Sequence, residues 1–176
     1  RCLVGSEMCI RDRINTDTER SRLKALGVLI KAPGTGLLFR TEAANINEEL
    51  LREMHYFYEQ HCLKWGIWGS KYLTSDFFKK SIHNKNNFLI FSAYENNSKE
   101  PIAMSMCVKS NKNLWGRYWG CKSEIDNLHF ELCYYKPIEW AIANNIEKFD
   151  PGAGGKQKRR RGFYAKSTKS FHKWFN

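Results

Sequence analysis

The sequence predicts an α+β domain, a mixed and mostly antiparallel sheet flanked by helices. Three observations carry this: two stretches with helical spacing come first, a run of segments with period two follows, and one more helix and a short strand close the order. This is not the strand–helix alternation of a doubly wound sheet. The 176 residues, 42% apolar and 27% charged, suffice for one domain with a real core.

Each element has a local reason. Asn45 or Asn47 can cap the first helix, Glu48 and Glu49 suit the positive end of its dipole, and Leu50, Met54, Phe57, Tyr58 and His61 make one apolar-lined stripe. Thr74 or Ser75 opens a second, shorter helix through DFFKKSIH. From Phe88 onward FLIFSAY, IAMSMCV and NLWGRYWGC are joined by polar turns and read as an antiparallel meander. NLHFELCYY reads as a further strand, leading into a helix with Pro137 in its first turn, and IEKFDPG as a short strand that stops at the glycines. The apolar run 28–30 predicts a strand before Pro33. Residues 1–13, RCLVGSEMCIRDR, follow neither period and resemble a translated sequencing adapter, so the domain is expected to span 14–176 and to be incomplete at both ends.

The charge is uneven. Of the net +11, eight positive charges fall in residues 151–176, which contain no acid. A concentrated patch of this kind suits an anionic partner such as phosphate or nucleic acid. The six cysteines form no CxxC pair and no signal peptide is recognisable, which predicts a reducing, cytoplasmic setting rather than a disulfide framework. No segment approaches the roughly 20 apolar residues of a membrane span.

Three segments could carry chemistry. In LHFELC, period two places His129 and Glu131 on one face, about 7 Å apart, where an imidazole and a carboxylate could serve one substrate proton. In WGRYWGC, Arg117 shares a face with Trp115 and Trp119 while Tyr118 lies opposite, and Gly116 and Gly120 invite a bulge or a close approach of a ligand to the backbone. Tyr134 and Tyr135 follow shortly after. In DPGAGGKQKRRRGF, Gly152, Gly154 and Gly155 can expose backbone N–H groups as an anion nest beside Lys156, Lys158 and Arg161. This is not the GxxxxGK[ST] loop of nucleotide triphosphatases. Zinc held by Cys121, His129 and Cys133 would need a fourth ligand and lacks paired spacing, so no metal is expected.

GRYWGC, LHFELCYYKPIEWAI and FDPGAGGKQKRRRGF, in this order and at these distances, resemble the C-terminal half of the FemAB-like peptidoglycan biosynthesis/recognition proteins, a branch of the GNAT acyltransferase superfamily. ERSRLKALGVLIK, FYEQHCLKWGIWGSKYLTSDFF and PIAM fit the same family, so the resemblance covers about residues 18–172. It implies a GNAT-like N-acyltransferase fold and transfer of an acyl group from acyl-CoA or aminoacyl-tRNA to an amine, with a place in cell-wall metabolism. Within such a reaction, chemistry would give Glu131, with His129 beside it, the role of general base. Tyr135 or Tyr134 would protonate the leaving group, and Arg117, with Tyr118 and Trp119, would bind substrate. The basic glycine loop would face the carrier's phosphates. Two departures are visible: Gly154, Lys156 and Gln157 stand where the family has a Gln and a Glu-His pair, and the [RQ]xxGx[GA] loop of many CoA-binding relatives is absent. A different class of reading, a non-catalytic nucleic-acid-binding module, rests on the interleaved cations and aromatics of RRRGFYAKSTKSFHKWF.

Overall fold

The computed structural model describes residues 4–9, 36–66, 69, 71–152 and 156–167. Seven strands form one sheet: β1 (Val4–Cys9), β2 (Leu37–Glu42), β3 (Phe88–Glu95), β4 (Pro101–Lys109), β5 (Asn113–Cys121), β6 (Lys148–Asp150) and β7 (Tyr164–Ser167), in the spatial order β2-β3-β4-β5-β6-β1-β7. Every pairing is antiparallel except β5 with β6. The mixed sheet and the meander β3–β4–β5 are as the period-two pattern predicts. Val4–Cys9, which sequence periodicity leaves outside the fold, is a strand between β6 and β7. The strand expected at 28–30 and the closing SFHKWFN lie outside the described residues.

Two helices cover one face. α1 (Glu48–Lys64) starts where Asn47 Oδ1 accepts the Leu50 N–H at 2.8 Å, and buries Leu50, Leu51, Met54, Phe57 and Tyr58 against the sheet. α2 (Ser75–Lys80) is capped at Thr74 and adds Phe78. On β3 and β4 the alternation is clean: Ile90, Met104 and Met106 meet these helices, while Leu89, Phe91, Ala103 and Cys107 face the other layer. Gly120 on β5 sits directly beneath α1, where any Cβ would overlap the carbonyl oxygen of Phe57. Where the sequence reading expects a ligand against this backbone, the close neighbour at Gly120 is a helix backbone.

The second layer corrects the sequence reading. NLHFELCYY is not a strand: Leu128–Phe130 is α-helical (α3), Glu131–Tyr135 is a π-helical turn, and Lys136–Ala143 continues as α4, so residues 128–143 run as one helix. Leu128, Leu132, Tyr134 and Ala141 pack from it onto Leu89, Phe91 and Phe149. Pro137 is therefore inside a helix. In a regular α-helix its ring would strike the carbonyl of the residue four before it, and the widened turn relieves that conflict.

Candidate active site

β5 and β6 run side by side only from Asn113↔Lys148 to Trp115↔Asp150. Beyond that point Gly116 to Trp119 on one side and Pro151 and Gly152 on the other line a cleft of about 1010 Å³. Further walls come from the C-terminal end of α1 (Tyr58, His61, Trp65), from Ser105 to Cys107 on β4, and from the start of the 128–143 helix with the residue before it (Asn127, His129, Tyr134). Within the β4–β5 ladder Met106 faces Tyr118 and Cys107 faces Gly116, so Arg117 is the extra residue of a bulge. Among the described residues the β5 backbone past Trp115 pairs on its β4 edge alone, so strand geometry turns alternate N–H groups to the edge where the cleft opens.

His129 stands at the cleft mouth in an aromatic setting, its ring centroid 5.2 Å from Trp119 and 5.7 Å from Tyr134. Desolvation by these neighbours, with His61, Arg161 and Lys158 adding positive surroundings, pulls the imidazole pKa down to about 4. The lowered pKa leaves the imidazole neutral near pH 7. Burial pushes the Tyr134 phenol up to about 12, so it remains a proton donor. His61 is lowered by burial and by Lys64. Burial also drives the thiol of Cys107 up to about 12 and that of Cys133 well above the usual range, which keeps both protonated and poor nucleophiles.

The expected pairing of His129 with Glu131 does not exist. On a helix, residues two apart point to nearly opposite sides. His129 reaches the cleft, whereas Glu131 is buried outside its lining, with Lys136 Nζ 4.0 Å from its Oε1. Tyr135 likewise lies outside the lining. Arg117, Tyr118, Trp119 and Tyr134 are all brought together in the cleft.

The basic segment divides. Lys156–Arg161 is a 3₁₀ turn that follows Gly152, whose φ of 89° favours glycine. The Gly152 N–H is donated to Asp150 Oδ1 at 2.8 Å. Lys158 enters the cleft and donates to the Gly152 carbonyl at 2.6 Å; burial lowers its pKa. Arg161 turns away from the cleft and lies over Phe130, its guanidinium carbon 4.0 Å from the ring centroid, with Tyr134 and Tyr135 nearby. Arg159 is exposed. Gly154 and Gly155 lie outside the described residues, and Lys156 opens the turn. Sequence reasoning missed the α1 wall: Tyr58, His61 and Trp65 read as ordinary helix residues, and only the spacing of Tyr58 and His61 on the buried stripe hinted at it. Among the described residues no group of His, Cys, Asp and Glu is arranged to hold a metal ion, and no helix is long and apolar enough to cross a membrane.

The family model FemAB_like, peptidoglycan biosynthesis/recognition, matches residues 7–176. Among solved structures the fold is similar to that of FemX (TM-score 0.59, 9% identity, 92% of this chain and 59% of that one) and of the C-terminal domain of a lysylphosphatidylglycerol synthetase from Agrobacterium fabrum (0.59, 8%, 86% and 47%). It is also similar to that of a tandem GNAT protein from the clavulanic acid biosynthesis pathway (0.56, 7%, 94% and 51%). These likenesses establish a GNAT-like α+β fold. Curated relatives point elsewhere: the chain is 32% identical over 121 residues to a ribonuclease E/G-like protein of Porphyra purpurea, covering 65% of this chain and 22% of that protein. It is 61% identical over 49 residues to ribonuclease E of Synechocystis sp., covering 28% of this chain and 7% of that enzyme. The chain thus spans a small part of either curated relative.

Proposed function

We propose, from the premise that this chain belongs to the FemAB-like peptidoglycan biosynthesis/recognition family, that it transfers an acyl or aminoacyl group from acyl-CoA or aminoacyl-tRNA to an amine. The observation that carries the reading is the meeting of the His129 imidazole and the Tyr134 phenol, ring centroids 5.7 Å apart, on the wall of the cleft that opens where β5 and β6 part. In this mechanism the amine nitrogen attacks the carbonyl carbon of the donor. Negative charge develops on the carbonyl oxygen and is met by outward N–H groups of β5 between Gly116 and Trp119. The nitrogen becomes acidic once it is bonded to that carbon, so even a weakly basic imidazole can accept its proton, and His129 is placed to do so. The C–S or C–O bond then breaks, and Tyr134 donates a proton to the departing thiolate or ribose oxygen. Water returns the proton from His129 to Tyr134. Arg117, exposed at the bulge, orients an anionic group of the substrate, and Lys158 fixes the Gly152 turn at the cleft edge.

Mass spectrometry of small molecules retained by the purified full chain tests this. Acyl-CoA, CoA or an aminoacyl-adenosine fragment is the expected finding. Retention of none of these, with no protection of the fold by CoA or aminoacyl-tRNA, contradicts it.

The matches to ribonuclease E favour a second reading, a nucleic-acid-binding module using the basic segment. It predicts binding to single-stranded RNA whose log affinity falls steeply with log salt, with a slope reduced on neutralising Arg159. A flat salt dependence removes it.

A further inference from the structure

The helix 128–143 carries a carbonyl that its own geometry leaves without a donor. In the π turn the Lys136 N–H is given to the Glu131 carbonyl, five residues back. The next group in that ladder, the Leu132 carbonyl, would take the N–H of residue 137, but Pro137 has none. A buried carbonyl without a donor is costly. It finds one across the layer: Ser105 Oγ, on the central strand β4, donates to Leu132 O at 2.7 Å. Ser105 is 2% exposed, and its neighbours across the strands are Phe91 and Trp119, so its hydroxyl in turn needs this acceptor.

The wide turn lies between His129 and Tyr134. In a regular α-helix residues five apart are separated by about 140° around the axis and could not share one wall. Here both line the cleft. We propose that Ser105 is a positioning residue: by holding the Leu132 carbonyl left over at Pro137, it keeps the π turn in the register that sets His129 and Tyr134 side by side on the cleft wall. The proposal rests on the transferase reading only for its kinetic consequence; the register itself is independent of any activity.

Three full-chain variants test it: Ser105→Ala, Pro137→Ala and the double variant. Each is followed by thermal melting, by NMR titration of the His129 imidazole and by amide formation from acyl-CoA or aminoacyl-tRNA. Ser105→Ala is expected to lower Tm by about 2–4 °C, to move the His129 titration up toward the ordinary imidazole range, and to lower kcat about 10²-fold with KM changed less. In the double variant the ring that strikes the Cys133 carbonyl is gone, so the turn relaxes to α-helix, where the new N–H at position 137 serves Cys133 and Lys136 serves Leu132. Stability is expected to recover while the His129 titration and kcat remain altered, an outcome that a merely structural serine would not give. Pro137→Ala alone keeps the test open if Ser105→Ala does not fold, and is expected to shift the titration in the same direction. An unchanged His129 titration in the folded variants overturns the proposal, as does recovery of stability, titration and kcat together in the double variant. Shifted titrations with no transfer by the unmodified chain support the positioning role and overturn the transferase reading instead.

Discussion

The ammonium of Lys158 and the carbonyl of Gly152 are 2.6 Å apart, a bond that ties the basic turn to the end of β6 inside the cleft. Two of the cations after the glycines are therefore not part of a solvated tail: Lys158 and Arg161 are each less than a tenth exposed, one directed into the cleft and the other onto the aromatic rings of the 128–143 helix.

Replacing Lys158 by Met leaves the Gly152 carbonyl without its donor. We expect a loss of about 1–3 kcal/mol in stability together with weaker protection by CoA. Urea titration and thermal melting with and without CoA check both effects, and a variant as stable and as well protected as the unmodified chain would remove the bond from the account.

Gly120→Ala is expected to be among the most damaging small substitutions. The added methyl would overlap the Phe57 carbonyl, so α1 must lift from β5, at a cost of about 1–3 kcal/mol or more. The same substitution at Gly116 meets Pro151 at 3.4 Å and is expected to cost much less. Comparison of the two urea midpoints is the measurement.

Tyr134→Phe removes the proton donor that the mechanism assigns to the leaving group. Because an alkoxide is a poorer leaving group than a thiolate, the variant is expected to lose more rate with an oxygen ester donor than with a thioester, by about 10²-fold or more for the ester. Equal losses with both donors would assign the phenol to binding rather than to proton transfer.

The depressed pKa of His129 has a consequence for stability. The unfolded chain takes up a proton near the ordinary value of 6.5, whereas the folded chain, with the ring desolvated and the positive charge of His61, Arg161 and Lys158 in its surroundings, does so only at about 4. The unfolded state thus binds more protons between these values, and stability falls as pH drops from about 6.5 toward 4, then levels off. His61, also lowered by burial, adds a contribution of the same sign. Melting temperatures of the unmodified chain and of His129→Gln, followed from pH 8 to pH 4, are expected to converge at the acid end.

Much of the fold was legible because the strands obey one period and α1 another. Asn47, Glu48 and the Leu50-to-Tyr58 stripe announce α1, and β3 and β4 bury alternate residues on two different layers. The 128–143 helix was hidden for a physical reason. His129, Tyr134 and Cys133 face a cleft while Glu131 and Leu132 are buried elsewhere, so no single apolar stripe forms, and over six residues LHFELC alternates as a strand would. Pro137 strengthened the error, since a proline most often begins a helix; Ser105, on β4 and 27 positions before the Leu132 carbonyl that it serves, makes the interior place of the proline tolerable. The site was legible as a set of residue types, Arg117, Tyr118, Trp119, His129 and Tyr134, but the face shared by His129 and Glu131 was a product of the wrong period. The wall supplied by α1 depends on packing across the sheet, which no local pattern encodes.

The account turns on His129, rather than Glu131, meeting the substrate amine. The direct measurement is the rate of amide formation by the full chain with acyl-CoA and with aminoacyl-tRNA, for the unmodified protein, His129→Ala and Glu131→Gln. We expect His129→Ala to lose about 10²- to 10⁴-fold in kcat, while Glu131→Gln loses less than tenfold and melts at a lower temperature because a buried side chain gives up its attraction to Lys136, which keeps Glu139 at 3.0 Å. Full activity in His129→Ala, or abolition of transfer in a stably folded Glu131→Gln, would contradict it.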